Sequence, residues 1–351
     1  MTFPSFTSSS KKGTGAFALR LAAFIVLILV AQVLVSYWTE ASFPELSRVD
    51  RYLEARVDII YLGDSVLHYH ARDDRTRQGI PEFLQDLLPA HSLGAVDHPA
   101  YHLGLYRLFC GYLRRSGSPP SVVIIPITLR SFSAAWQRRP EYKFPNESVI
   151  LEYRTRHYDS RPLRALLHPL IVFKAFDLRP VPSSAKSAIA TSSVGVGDGE
   201  DVPTKRREDV SDTDVARWLT SAYMYSLNAT HPFVQDMVAI VKMFRGSRTR
   251  LLFYVTPIDH ETGTRIVGEA FSGRVREHVA FFFGLSAAHD FFLSDLSLSL
   301  GTDAFGWRGD SRIPNEHLAE AGRRYVAERV ADSVKHLLRD SGTEESAIGR
   351  R

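Results

Sequence analysis

Two residues near opposite ends of this 351-residue chain could do chemistry together: Ser65 and His317. A serine hydroxyl is a weak nucleophile unless a base takes its proton, and imidazole is the side chain whose ordinary pKa suits that task. Ser65 closes the run Val57-Asp-Ile-Ile-Tyr-Leu-Gly-Asp-Ser65, and His317 stands in Pro314-Asn-Glu-His-Leu-Ala-Glu-Ala-Gly322. Each also has a plainer use. Ser65 could cap a helix that follows a strand, His317 could be a surface residue in the first turn of a helix, and Asp64 reads as a turn-former bonded to backbone. His68 and His70 are two apart and raise the question of a metal. No carboxylate cluster at fitting spacing accompanies them, so neither a metal nor another cofactor is expected. Asp259 and His260 could bind substrate or supply an acid, or could only shape a turn. Arg130, Trp136, Arg138 and Arg139 could line a groove for a sugar or an anion, or could form a solvated loop face.

The elements that must position these residues follow from periodicity. Residues 57–63 are a β-branched apolar run, the mark of a strand buried on both faces, and Gly63 would let the chain turn sharply after it. Helical spacing is read over 43–56, 76–90, about 105–115, 213–227, 231–245, 266–284 and 316–339. Further strands are read near 92–96, over Val122 to Ile127, over Arg250 to Val255 and near 289–293, with Pro126 marking a strand end or bulge. Residues 134–182 read as irregular and 298–314 as a loop. Residues 183–215 turn to Ser, Ala, Gly and charge and read as a flexible insertion; their glycines do not follow a strand, so no phosphate loop is expected. Strands alternating with helices predict an α/β fold, a three-layer α/β/α sandwich with a mostly parallel sheet over 44–340. In such sheets ligands meet the carboxyl ends of the strands. Residues 341–351 read as a disordered tail.

Composition narrows the class. An apolar fraction of 44% is ample for a core, and a net charge of +4 with dispersed basic residues does not suggest nucleic acid. The single cysteine, Cys110, excludes an internal disulfide framework and a cysteine-rich zinc site, and reads as a core thiol. Residues 1–15 are polar with Lys11 and Lys12, Arg20 follows, and Leu21 to Trp38, with Ala16 to Leu19 added, form an almost wholly apolar stretch ending in Tyr37 and Trp38. That is long enough to span a membrane with an aromatic belt at its end. The charge asymmetry predicts a cytoplasmic tail over 1–15, a single-pass inner-membrane anchor over 16–38 and the remainder outside the cytoplasm, in the periplasm. A cleaved signal peptide is the competing reading, against which no clear Ala-x-Ala site follows.

Together these residues resemble the SGNH hydrolases, also called GDSL esterases. Gly63-Asp64-Ser65 resembles their first signature block, Gly104 their second, and His317 with Leu318 and Gly322 their fifth. Thr128 falls where their third block carries asparagine. The resemblance covers about 57–130 and 250–335. It implies a flavodoxin-like arrangement of the sandwich and a serine esterase or O-acyltransferase in which Ser65 attacks an ester and His317 acts as base. It further implies that the amides of Ser65 and Gly104, with Thr128, hold the oxyanion. The family's acid is missing at its usual places, which hold Pro314 and Asn315. Asn315 could orient the imidazole neutrally, or the acid could come from Asp295, Asp303, Asp310 or Glu316. Similar single-anchor members work beside a multispanning acyltransferase on acylated cell-surface polysaccharide, which makes both the expected partners. The alternatives are a non-catalytic polysaccharide-binding or assembly protein on the same fold, and a lipid or thioester hydrolase.

Overall fold

The structure, a computed structural model, describes residues 13–156, 210–307 and 313–348, with side chains in the first helix given for 17–31 but not for 32–42. Most of the stretch expected to be a flexible insertion, and the candidate acid Asp310, lie outside the described residues.

Five strands form one parallel sheet: β1 (Ile59–Gly63), β2 (Leu93–Asp97), β3 (Val122–Ile127), β4 (Arg250–Val255) and β5 (Phe292–Asp295), in the order β2-β1-β3-β4-β5. The β-branched runs are what this requires, because both faces of the sheet are covered. Ile60, Leu62, Val123, Ile125, Phe253 and Val255 face one layer, and Ile59, Tyr61, Val122, Ile124, Leu252 and Tyr254 face the other. The first layer holds α2 (Pro44–Ala55), α4 (Leu103–Arg115), α6 (Pro145–Arg156), α7 (Asp212–Tyr223), α8 (Pro232–Phe244) and α10 (Ala270–His289). The second holds α3 (Ile80–Leu87) and α11 (Glu320–Ile348), packed through Phe83, Leu84, Val326, Val330 and Val334. This is a three-layer α/β sandwich, as the alternation of periods predicts.

Strand order reverses between β1 and β3, and such a switch point opens a crevice at the carboxyl rim. Pro126 helps to open it. Val122 N–H donates to Asp58 O on the β1 side, so the even-numbered positions of β3 aim their amides at β1. Pairing to β1 ends at Ile124, the partner of Tyr61, whereas pairing to β4 continues through Pro126 and Ile127. The missing N–H of Pro126 therefore falls where β1 has already turned away. The proline ends the ladder on one side only and makes no bulge.

Several boundaries differ from the sequence reading. Residues expected to be irregular include two helices, α5 (Ala134–Gln137) and α6. The helix expected over 266–284 is two, α9 (His260–Val267) and α10, separated at Gly268 with φ 98°. The last strand starts later than expected, at Phe292. Residues 341–348, expected as disordered tail, continue α11, where no proline interrupts the helix.

The first helix, α1 (Gly13–Ser42), has 30 residues and includes the apolar stretch. Phe17, Leu19, Leu21, Phe24, Ile25 and Leu27 stand exposed on it. Among the described residues no helix is long and apolar enough to cross a membrane; in α1 the described side chains stop at residue 31.

Candidate functional site

β1 ends at Gly63, and residues 65–68 form a turn rather than a helix. Gly63 is needed here for space and not for a left-handed backbone: a Cβ would lie 2.2 Å from Leu67 Cδ1. Asp64 shapes the turn. Its Oδ1 accepts from Val66 N–H at 2.9 Å and its Oδ2 from Thr128 Oγ1 at 3.1 Å. Burial, the first cause, raises the Asp64 carboxyl from its ordinary value to about 6. The turn leaves Ser65 half-buried at the rim, where its Oγ meets His317 Nε2 at 2.9 Å. The two side chains are 252 positions apart in sequence.

His317 is not in a helix, as the sequence reading had it, but in the extended segment before α11. Phe305 and Leu318 form an antiparallel bridge. Gly306 N–H donates to His317 O and Ala319 N–H to Ala304 O, both at 2.9 Å. The 302–307 loop is in turn tied to the rim of β4 by Asp259. That carboxylate accepts from Trp307 Nε1 at 3.0 Å and from Thr302 Oγ1 at 2.7 Å, while also capping α9 through Thr262 N–H. Asp259 thus holds the loop on which the histidine segment is zipped. Tyr69 completes the seat: its ring stacks on the imidazole at 4.3 Å and 13°, and its hydroxyl donates to Gly306 O.

No carboxylate among the described residues bonds the imidazole. Asn315 Oδ1 accepts from the backbone N–H of His317 at 2.9 Å, so it shapes the loop rather than orienting the ring. Glu316 is buried and turned away, accepting from Tyr223 Oη and pairing with Arg130 Nη2 at 3.1 Å. Asp295 accepts from Ser297 N–H, and Asp303 lies in the 3-10 turn Thr302–Ala304. Burial first, and then the charge of Arg130, hold the imidazole down at about 3. It is therefore neutral near pH 7 and able to accept a proton, with no negative partner among the described residues to stabilise the imidazolium.

Two of the three expected oxyanion donors, Gly104 and Thr128, are engaged elsewhere. Gly104 N–H donates to Nδ1 of His102, the residue that caps α4, at 3.1 Å. The Thr128 hydroxyl is given to Asp64. Arg130, Trp136 and Tyr142 form a stack instead: the guanidinium lies 4.6 Å over the indole, which lies 4.2 Å from the tyrosine ring. The Arg139 guanidinium lies over the Tyr142 ring at 5.4 Å, while Arg138 donates to Ala134 O.

The chain matches no family model and no curated protein.

Two sequence candidates serve other ends. His68 bridges Asp97 at 3.0 Å and Glu82 at 3.2 Å; these hydrogen bonds raise its imidazole to about 9. His70 Nε2 donates to Arg77 O. Among the described residues no three His, Cys, Asp or Glu side chains gather to hold a metal. Cys110 is buried in α4, which pushes its thiol up. Tyr69 carries no sequence signal as a support for His317, and Asp259 and Glu316, expected as candidate acids, instead bind Trp307 and Thr302 in the one case and Arg130 in the other. Their contacts are set by loops from three strands, and no local spacing signals them.

Proposed function

We propose that this chain is an extracytoplasmic serine esterase or O-acyltransferase, anchored in the inner membrane by α1 and acting on an acylated cell-surface polysaccharide. The observation that carries the proposal is the 2.9 Å contact between Ser65 Oγ and His317 Nε2 at the carboxyl rim of a parallel sheet. Both side chains are half-buried, so a reagent can reach them. Ser65 attacks the ester carbonyl, and His317 takes its proton and returns it to the leaving alkoxide. Water or a sugar hydroxyl then resolves the acyl-enzyme.

The resemblance of Gly63-Asp64-Ser65 and His317-Leu318 to the SGNH hydrolases supports the ester class, and with it a multispanning acyltransferase as partner. The anchor is supported by the exposed apolar side chains of α1, whose 30 residues reach about 45 Å, and by the lysines that precede it.

A fluorophosphonate tests this reading. Stoichiometric label on Ser65, absent in Ser65→Ala, supports it; an unlabelled wild-type chain refutes it. One observation favours a second reading, a non-catalytic polysaccharide-binding or assembly protein on the same fold. Among the described residues no carboxylate bonds the imidazole, and it sits near the cation Arg130, which opposes proton uptake. The unlabelled outcome is the one this second reading expects.

A further inference from the structure

The described residues leave a gap in the serine chemistry. A tetrahedral oxyanion needs several donors that are not already spoken for, yet of the three expected the Gly104 amide and the Thr128 hydroxyl are bonded to His102 and Asp64, which leaves the Ser65 amide. Two other donors beside the site are unused. Arg130 Nε and Trp136 Nε1 are both buried, and neither has a hydrogen-bond partner among the described residues. They belong to side chains stacked 4.6 Å apart. A buried N–H without an acceptor costs on the order of 1–3 kcal/mol, so two in one stack mark a place where an acceptor from outside belongs.

The position of Arg130 ties that place to Ser65 from two directions. On one side Arg130 follows Thr128 by two residues, and Thr128 is bonded to Asp64, the neighbour of Ser65. On the other side Arg130 pairs with Glu316 at 3.1 Å, the neighbour of His317. The ion pair and the indole face hold the guanidinium in one plane.

We propose that Arg130 is a catalytic residue that receives the oxyanion through Nε, with Trp136 Nε1–H as a second donor from the same stack. This rests on the serine chemistry proposed above. As the bond from Ser65 Oγ to the carbonyl carbon forms, the carbonyl π pair moves onto oxygen and the serine proton moves to His317 Nε2. The new negative charge lies against Arg130. It cancels the field that opposes the imidazolium, so the two charges form together. The arrangement supplies in the transition state some of the stabilisation that a triad acid gives in the resting state.

The test is the second-order rate at which an uncharged fluorophosphonate labels full-length wild type, Arg130→Lys, Arg130→Gln and Trp136→Phe, with thermal unfolding alongside. Arg130→Lys keeps the charge and can keep the pair with Glu316 but has no Nε donor. Loss of such a donor lowers the rate on the order of 100-fold, and Trp136→Phe lowers it about tenfold. In Arg130→Gln the acid limb of the pH–rate profile moves to higher pH, which a merely structural role would not produce. Folded Arg130→Lys that labels within threefold of wild type overturns the proposal and leaves the serine reading standing. So does a loss seen only with anionic esters, which would make Arg130 a seat for a resident substrate charge. If Arg130→Lys does not fold, Trp136→Phe decides, because it keeps the ring and the stack. A wild-type chain that takes no label removes the serine reading and this one with it.

Discussion

Lowering the pH from 7 to 5 should leave the reactivity of Ser65 almost unchanged. A histidine with an ordinary pKa near 6.5 is largely neutral at pH 7, but only a few per cent is neutral at pH 5. A rate carried by such a base falls about 25-fold over that interval. His317 differs because burial and Arg130 hold it at about 3. More than nine-tenths of it is neutral at pH 5, so the expected fall is less than twofold. The assay is the initial rate of fluorophosphonate labelling, measured at steps between pH 4.5 and 8. Asp64 titrates inside the window, at about 6, so the series is repeated in Asp64→Asn. A drop of tenfold or more in both chains, with a midpoint near 6.5, would show that the imidazole is solvated or has a carboxylate partner, and would refute the electrostatic reasoning. Stability carries the opposite sign from a salt-bridged histidine. The unfolded imidazole binds a proton below about 6.5 and the folded one does not. The contribution of His317 is therefore intact above that pH and is lost as pH falls toward 3. His317→Asn should flatten that limb of the unfolding curve.

Three further outcomes follow from single sites. Asp64 is raised from 3.8 to about 6 while buried; its charged form therefore weakens the fold by up to about 3 kcal/mol above pH 6, a cost absent below pH 4. Asp64→Asn should raise the midpoint of denaturant unfolding at pH 7 and not at pH 4, and an equal change at both would contradict this. Arg323 is fully buried, pairs with Asp74 at 2.7 Å and donates to Leu318 O beside His317. Arg323→Met should cost about 3–5 kcal/mol and slow labelling of Ser65, with part of the stability returned by adding Asp74→Asn. Gly63→Ala would place a methyl 2.2 Å from Leu67 Cδ1, so a loss of about 1–3 kcal/mol and slower labelling are expected, and an unchanged melting temperature would mean that the turn yields freely.

What the sequence determined by itself was the sheet and its chemical rim. Runs such as Val122-Val-Ile-Ile-Pro-Ile127 and Arg250-Leu-Leu-Phe-Tyr-Val255 leave few choices but strands covered on both faces, because their apolar periods have no polar side. The helical spacing between them then dictates parallel crossovers, and parallel strands put Ser65, Thr128, Asp259 and Asp295 on one edge. Tertiary structure alone decided which of those groups meet. Whether Asp259 faces the imidazole or the indole of Trp307, and whether Glu316 faces its neighbour His317 or Arg130, depends on loops that close over long separations. Such contacts leave no periodicity to read. The acceptors of Gly104 and Thr128 were not legible for a related reason. A residue type says that a hydrogen can be given, and only the packed neighbours decide which acceptor takes it.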